Sequence, residues 1–204
     1  MIRRLTWFVF DLGNTLIRLA YPRVIAAIEA DSSSSAQEII EKLEQPGFYR
    51  DLERGLYSFE DFHAALQQGI GYRASSNRFR EVWTDFFDGP VEGMEELLTG
   101  IRERYKVGFL SNSNEVHAGV IPSMFPSLFK EGDPFVYSYQ VRSAKPDAAI
   151  FHEAARLFGA PLQEMVLVDD LPQNIRAARE LGMTAFEFVS AENLAIELRN
   201  EGIL

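Results

Sequence analysis

Two hydrophobic patterns alternate along this chain. Residues 7–10, 106–110, 165–168 and 184–188 are short β-rich runs bounded by turn residues, which predicts strands. Between them, residues 148–158 set Ile150, Phe151, Ala154, Ala155, Leu157 and Phe158 at helical spacing, and residues 174–181 repeat that logic. Alternation of this kind predicts an α/β fold, a doubly wound parallel sheet covered by helices on both faces.

One stretch breaks the alternation. Residues 19–89 contain no convincing buried strand, and several amphipathic helices follow one another. This predicts a helical cap (19–89) inserted into a core domain made of residues 1–18 and 90–204. Ser58-Phe59-Glu60-Asp61 resembles a capping box with Asp in place of Glu, ahead of Phe62, Ala65 and Leu66. The polar break at residues 32–35 can begin the helix that carries Ile39, Ile40 and Leu43. Gly69-Ile70-Gly71-Tyr72-Arg73-Ala74 has a dinucleotide-binding spacing, but it follows a helical run and not a strand, so it reads as helix termination and a cap loop.

With 204 residues, 47% of them hydrophobic, the chain is long enough to bury a core and fold alone. Its formal net charge of -10 repels polyanions and so argues against nucleic-acid or anionic-membrane partners. A small phosphorylated ligand stays compatible, because a local cation and a bound metal ion can reverse the field inside a cleft. The absence of cysteine removes thiolate metal sites and cysteine nucleophiles, and favours a reducing compartment. Arg3-Arg4 precede an apolar run that Asp11 ends too early for a signal peptide or a membrane span. These features predict a cytoplasmic protein, monomeric or homodimeric.

Asp11 closes a predicted buried strand, where open α/β sheets bind ligands, and the nearby Gly13 lets the backbone approach an anion. Taken singly, each chemical residue has an ordinary reading. Asp11 could end a strand in a turn, residues 111–114 could cap the next helix, Lys145 could be a solvated cation, and Asp169-Asp170 with Pro172 could open a helix. The ordered set of Asp11, Ser111, Lys145 and Asp169-Asp170 instead suggests a phosphoryl-transfer site with Asp11 as nucleophile. His63 and His152 read as ordinary helix residues, whereas His117 could approach the site from its loop. No HExxH, GxSxG or Walker-type sequence is present.

Asp11-Leu12-Gly13-Asn14-Thr15, Leu110-Ser111-Asn112, Lys145-Pro146-Asp147 and Val168-Asp169-Asp170 with Asn174 together resemble the four motifs of the haloacid dehalogenase-like hydrolases. The Phe-Asp-Leu-Gly-Asn opening is closest to a subgroup that contains bacterial sugar-1-phosphate phosphatases, and Glu53-Arg54-Gly55 with Phe62 is similar to it too. The resemblance implies a Rossmann-like core and a Mg²⁺-dependent phosphomonoester hydrolase of small phosphorylated metabolites, with a sugar phosphate favoured. Asp11 would carry a covalent phosphoryl group, with Ser111 and Lys145 as its catalytic partners. Asp11, the Gly13 carbonyl and Asp170 would ligate Mg²⁺ with Asp169 assisting. Leu12, Gly13, Ser111, Asn112 and Lys145 would meet the substrate. Asn174 would orient the acidic pair, and Thr15 would either bond near the nucleophile or serve the turn. Glu53, Arg54 and Tyr57 lie in the cap stretch that resembles the subgroup, which makes them candidates to touch substrate, with a structural role at a helix-to-loop junction as the equal alternative.

Gly13 departs from the family at large, which usually carries there a second Asp that protonates the leaving group. The subgroup also has Gly, and the replacement acid stays open between a cap Glu, His117 and solvent. Hydrolytic dehalogenation of 2-haloacids, which needs no metal and no leaving-group proton, is the rival reaction. It ranks lower because an empty Asp169-Asp170 pair beside a carboxylate nucleophile would be mutually repulsive. A catalytically silent binding or regulatory module is the third reading.

Overall fold

β1 (Trp7–Phe10) runs through the middle of the molecule with Phe8, Val9 and Phe10 all fully buried. Successive side chains of a strand point to opposite faces. Accordingly Phe8 and Phe10 join one apolar cluster, and Val9 joins another. The computed structural model describes residues 4–204; Arg3 of the Arg3-Arg4 pair lies outside the described residues.

After β1 come β2 (Ile17–Leu19) and five helices: α1 (Tyr21–Ala30), α2 (Ala36–Glu44), α3 (Tyr49–Glu53), α4 (Phe59–Ile70) and α5 (Ser76–Thr84). The chain returns through β3 (Phe87–Pro90), α6 (Met94–Arg102), β4 (Lys106–Ser111), α7 (Glu115–Met124), β5 (Phe135–Tyr137) and the short α8 (Ser138–Val141). It closes with α9 (Ala148–Phe158), β6 (Met165–Asp169), α10 (Pro172–Glu180), β7 (Thr184–Glu187) and α11 (Ala191–Asn200). The main sheet has the order β5-β4-β1-β6-β7, and every pairing in it is parallel. Parallel neighbours need a crossover, and the helices supply it. α6, α7 and α11 place buried residues in the cluster of Phe8 and Phe10, while α9 and α10 cover the Val9 face. This is the doubly wound sheet that the alternation predicts.

β2 and β3 form a separate antiparallel pair at the exit from and return to the sheet domain. The 19/89 limits read from the sequence fall inside these two strands, which were too short to carry a periodic signal. Between them the five helices close around aromatic rings. Phe59 stacks on Phe79 at 4.9 Å, Trp83 meets Phe62 at 5.2 Å, and all four rings are buried. Burying such a side chain contributes roughly 1.5–3 kcal/mol, against about 1 kcal/mol for a helix cap. The rings therefore hold the bundle, and the caps set where each helix starts. Ser35 with Glu38 and Ser58 with Asp61 both form complete capping boxes. Gly71 ends α4 at φ 64, where a Cβ would lie 2.0 Å from Ser33 Oγ, so residues 69–74 are helix termination and loop. Among the described residues no helix is long and apolar enough to cross a membrane.

Candidate active site

The parallel register decides which side chains meet. Phe10 pairs with Phe109 on one side and with Val168 on the other. One step further along, Asp11 and Asp169 emerge level at the C-terminal edge of the sheet, where ligands of open α/β sheets bind. Ser111 is the last residue of β4 and Asp169 the last of β6. A fourth segment, the loop ahead of α9, brings in Lys145.

The buried Lys145 ammonium bridges two strand ends, with Nζ 2.7 Å from Asp11 Oδ1 and 2.6 Å from Asp169 Oδ2. Burial pulls that ammonium down, but Asp11 and Asp169 outweigh it and hold it up at about 12. The Asp11 carboxyl is pushed above its usual range by burial and by Asp169 and Asp170, against the pull of Lys145. Asp169 Oδ1 accepts from the Leu171 N–H at 3.0 Å and from Asn174 Nδ2 at 2.8 Å. With Lys145 on Oδ2, its acceptors are well occupied. Asp170 is pushed up by burial and by Asp169, and accepts a hydrogen bond from the Asn14 side chain.

Asp11, Asp169 and Asp170 can each offer an oxygen within 4.8 Å of the others. Three carboxylates facing one ammonium leave surplus negative charge, and the donors are hard oxygens. That donor set fits Mg²⁺, which binds through one or two carboxylates and keeps several waters. Asp11 and Asp170 present the freer oxygens, since Asp169 is committed to its three donors.

These groups open into a cavity of about 460 Å³. Leu12, Gly13, Ser111, Asn112 and Lys145 line its floor, and Tyr21, Tyr49, Arg50, Glu53 and Phe87 line the opposite wall. Asn112 spends both ends of its amide on the Lys145 main chain, donating to its carbonyl at 2.9 Å and accepting from its N–H at 2.8 Å. It thereby holds the loop that carries Lys145. Asn114 supplies the helix cap expected of residues 111–114, accepting from the Val116 and His117 N–H groups. Thr15 is buried, and its hydroxyl has no hydrogen-bond partner among the described residues, so no bond near the nucleophile is seen. At Gly13 a Cβ would lie 2.8 Å from Leu19 Cδ1, so a larger residue there would have to displace that side chain.

The wall opposite the sheet edge separates the cap residues named from the sequence. Glu53 and Arg54 line the cavity. Tyr57 does not: its hydroxyl donates to the Phe48 carbonyl and it lines another cleft. His117 reaches the cavity, but Nε2 donates to the Trp83 carbonyl at 2.9 Å and Nδ1 faces the Asn114 amide at 3.3 Å. Burial pulls its imidazole down to about 4, so it is neutral and engaged at both nitrogens. His63 is likewise buried, bonded to the Ala74 carbonyl at 2.9 Å. Asn14, Tyr21, Tyr49 and Arg50 were not singled out in the sequence. Tyr49 and Arg50 precede Glu53 by four and three positions, one helix face, and that spacing was the available signal.

The fold has known counterparts. A family model described as haloacid dehalogenase-like hydrolase matches residues 5–182. The chain belongs to the haloacid dehalogenase-like hydrolase family. It is similar, at 26% identity over 186 residues (88% of this chain, 89% of the relative), to a D-ribitol-5-phosphate phosphatase of Bacteroides thetaiotaomicron. A HAD family enzyme from Bacteroides thetaiotaomicron, crystallised as the wild-type protein with magnesium and inorganic phosphate, superposes with a TM-score of 0.82 at 25% identity, covering 96% of this chain and 100% of that one. A predicted HAD-like family hydrolase from Porphyromonas gingivalis matches with a TM-score of 0.82 at 26% identity, covering 97% and 98%.

Proposed function

We propose that the protein is a Mg²⁺-dependent phosphomonoester hydrolase of a small phosphorylated metabolite, acting through a covalent phosphoryl group on Asp11. A single observation carries the reading: Asp11 shares Lys145 with Asp169 beside Asp170, at the mouth of a cavity sized for a small metabolite. The D-ribitol-5-phosphate phosphatase relative and the magnesium- and phosphate-bound HAD enzyme support the same class. They favour a sugar or polyol phosphate as substrate. The reading takes residues 19–89 as a cap over a core of residues 1–18 and 90–204, and the setting as the cytoplasm.

Asp11 and Asp170, with the Gly13 carbonyl and with Asp169 assisting, are the residues that would hold the cation. Bound there, Mg²⁺ supplies the positive charge that lets a carboxylate approach a phosphate dianion. The protein groups do the rest. Asp11 attacks phosphorus in line through the oxygen that Lys145 does not hold. Lys145 keeps a fixed positive charge beside the transferring group, and the Ser111 hydroxyl donates to a phosphoryl oxygen. Asn174 fixes Asp169, which in turn fixes Lys145. Water then releases inorganic phosphate and restores Asp11.

Metal-independent dehalogenation is the weaker reading, because it leaves three crowded carboxylates against one lysine without purpose. A silent binding module is weaker too, since nucleophile, lysine and acidic pair are all in place. Hydrolysis of para-nitrophenyl phosphate with Mg²⁺, with excess chelator and by Asp11→Asn tests the proposal. Metal-dependent turnover that vanishes in the variant is expected. Turnover retained by Asp11→Asn would overturn the nucleophile, and chloride release from 2-chloropropionate without phosphatase activity would overturn the class.

A further inference from the structure

The sheet edge lacks the acid that a phosphatase of this design needs. Gly13 brings none, and a Cβ there would meet the Leu19 side chain. A departing alkoxide or basic phenoxide must then take its proton from water or from another group facing the cavity.

We propose, on the phosphatase reading, that Glu53 is the general acid and base of this site, delivered from α3 by a turn docked onto the sheet domain. In the first half-reaction the bond from phosphorus to the leaving oxygen breaks as Asp11 bonds to phosphorus, and the leaving oxygen takes the proton of the Glu53 carboxyl. In the second, water bonds to phosphorus, the bond to Asp11 breaks, and the water proton passes to the Glu53 carboxylate. The cycle ends with Glu53 protonated, as it began.

The dock argues for this role. Ser138 Oγ donates to the Glu53 carbonyl at 2.6 Å and itself accepts from the Ser113 N–H at 2.8 Å, two residues beyond Ser111. The next residue, Arg54, bonds Asp147 at 2.8 Å, two residues beyond Lys145. Gly55 follows at φ 62, where a Cβ would lie 2.3 Å from the Tyr139 carbonyl oxygen, so only glycine permits the approach. Three consecutive residues thus press onto α8, which Ser138 ties to the segment after Ser111, and onto the segment after Lys145. Inside the cavity, the Tyr49 hydroxyl hydrogen-bonds the Glu53 side chain.

The other lining groups are worse donors. His117 is neutral and engaged at both nitrogens. Tyr21 is pushed up to about 12 and Tyr49 well above its ordinary value, chiefly by burial, so both hold their protons. Lys145 is committed to two carboxylates. Glu53 is raised to about 7, first by burial and further by Asp11, against Tyr49, Arg50 and Lys145. A pKa near the working pH suits a group that must both give and take a proton.

The test is the dependence of kcat/KM, which reports the first half-reaction, on leaving-group basicity, with para-nitrophenyl phosphate and phenyl phosphate in Mg²⁺. Glu53→Gln is expected to lose on the order of 10²–10³-fold on phenyl phosphate and far less on para-nitrophenyl phosphate, whose leaving group departs without a proton. Glu53→Ala is expected to show the same divergence, because the dock runs through the Glu53 main chain and Arg54. Equal losses on both esters would mean that Glu53 only positions, and the proposal would fall while the phosphatase reading stood. Wild-type protein inert toward both esters would overturn that reading and this one together.

Discussion

Arg54 holds Asp147 at 2.8 Å across the cavity mouth, joining the turn after α3 to the segment two residues beyond Lys145. Asp147 is the residue ahead of α9, yet its side chain makes no cap hydrogen bond; it serves Arg54 instead. Both side chains are more than a third exposed, so the pair contributes at most about 1 kcal/mol to stability. Arg54→Ala should therefore shift Tm by only a few degrees. It should lower kcat/KM by about tenfold, since misplacement of groups around a reacting centre reduces rate steeply. Asp147→Ala should do the same, and the double variant should lose no more than either single one. Additive losses would show that the two residues act separately.

Asn174 donates to Asp169 at 2.8 Å and is almost fully buried. It lines the cavity, but its amide N–H is given to Asp169, so its effect passes through the acidic pair. Groups that orient metal ligands from behind are commonly worth 10–100-fold in metal affinity. Asn174→Ala should raise the Mg²⁺ concentration needed for half-maximal turnover of para-nitrophenyl phosphate by about that factor, with saturating Mg²⁺ recovering much of the rate. An unchanged Mg²⁺ requirement would remove Asn174 from the metal's support.

Most of the sheet and the acidic floor of the candidate site were legible because both depend on local pattern. β1 is fully apolar, and its end point fixes Asp11; the same holds for β6 and Asp169. β5 was missed, being three residues, Phe135-Val136-Tyr137, with no room for alternation. β2 and β3 were missed because their pairing joins Leu19 to Phe87 across the whole helical segment. The wall of the cavity was legible only as the short word Glu53-Arg54-Gly55. Its meaning lies in contacts with Ser138, Asp147 and Tyr139, more than eighty residues away, which no local spacing encodes.

Leu19 sets the cost of refilling Gly13. A Cβ at residue 13 would stand 2.8 Å from Leu19 Cδ1, closer than side chains pack, and overpacking commonly costs about 1–3 kcal/mol. The clash is with the end of a flexible side chain, so the lower figure applies, and Gly13→Ala should lower the unfolding free energy by about 1 kcal/mol. Introduced into a Leu19→Ala background, the same change should cost almost nothing. Urea denaturation of the four proteins measures the coupling, and a cost unchanged by Leu19→Ala would place the strain in the backbone.

His117 gives the fold a pH dependence whose sign can be worked out. It lies against Trp83 and Phe86, with near-parallel rings and centroids 5.5 and 5.2 Å away, and donates to the Trp83 carbonyl. Its imidazole therefore ties α7 to the end of α5. Burial lowers its pKa from 6.5 to about 4 in the folded protein. Between those values the unfolded chain binds a proton that the folded one refuses, so stability falls as pH drops through this window. Below about 4 both states are protonated, and this loss levels off. Between about pH 7.5 and 5 the linkage removes roughly 2 kcal/mol. Asp11 and Glu53 also titrate abnormally, but they remain in a His117→Gln variant and cancel when its stability curve is subtracted from that of the wild type. The variant should be less stable at neutral pH, having lost the stacked ring, yet lose about 2 kcal/mol less than the wild type on acidification. Parallel curves for the two proteins would mean that His117 takes up its proton without leaving its place beside the rings.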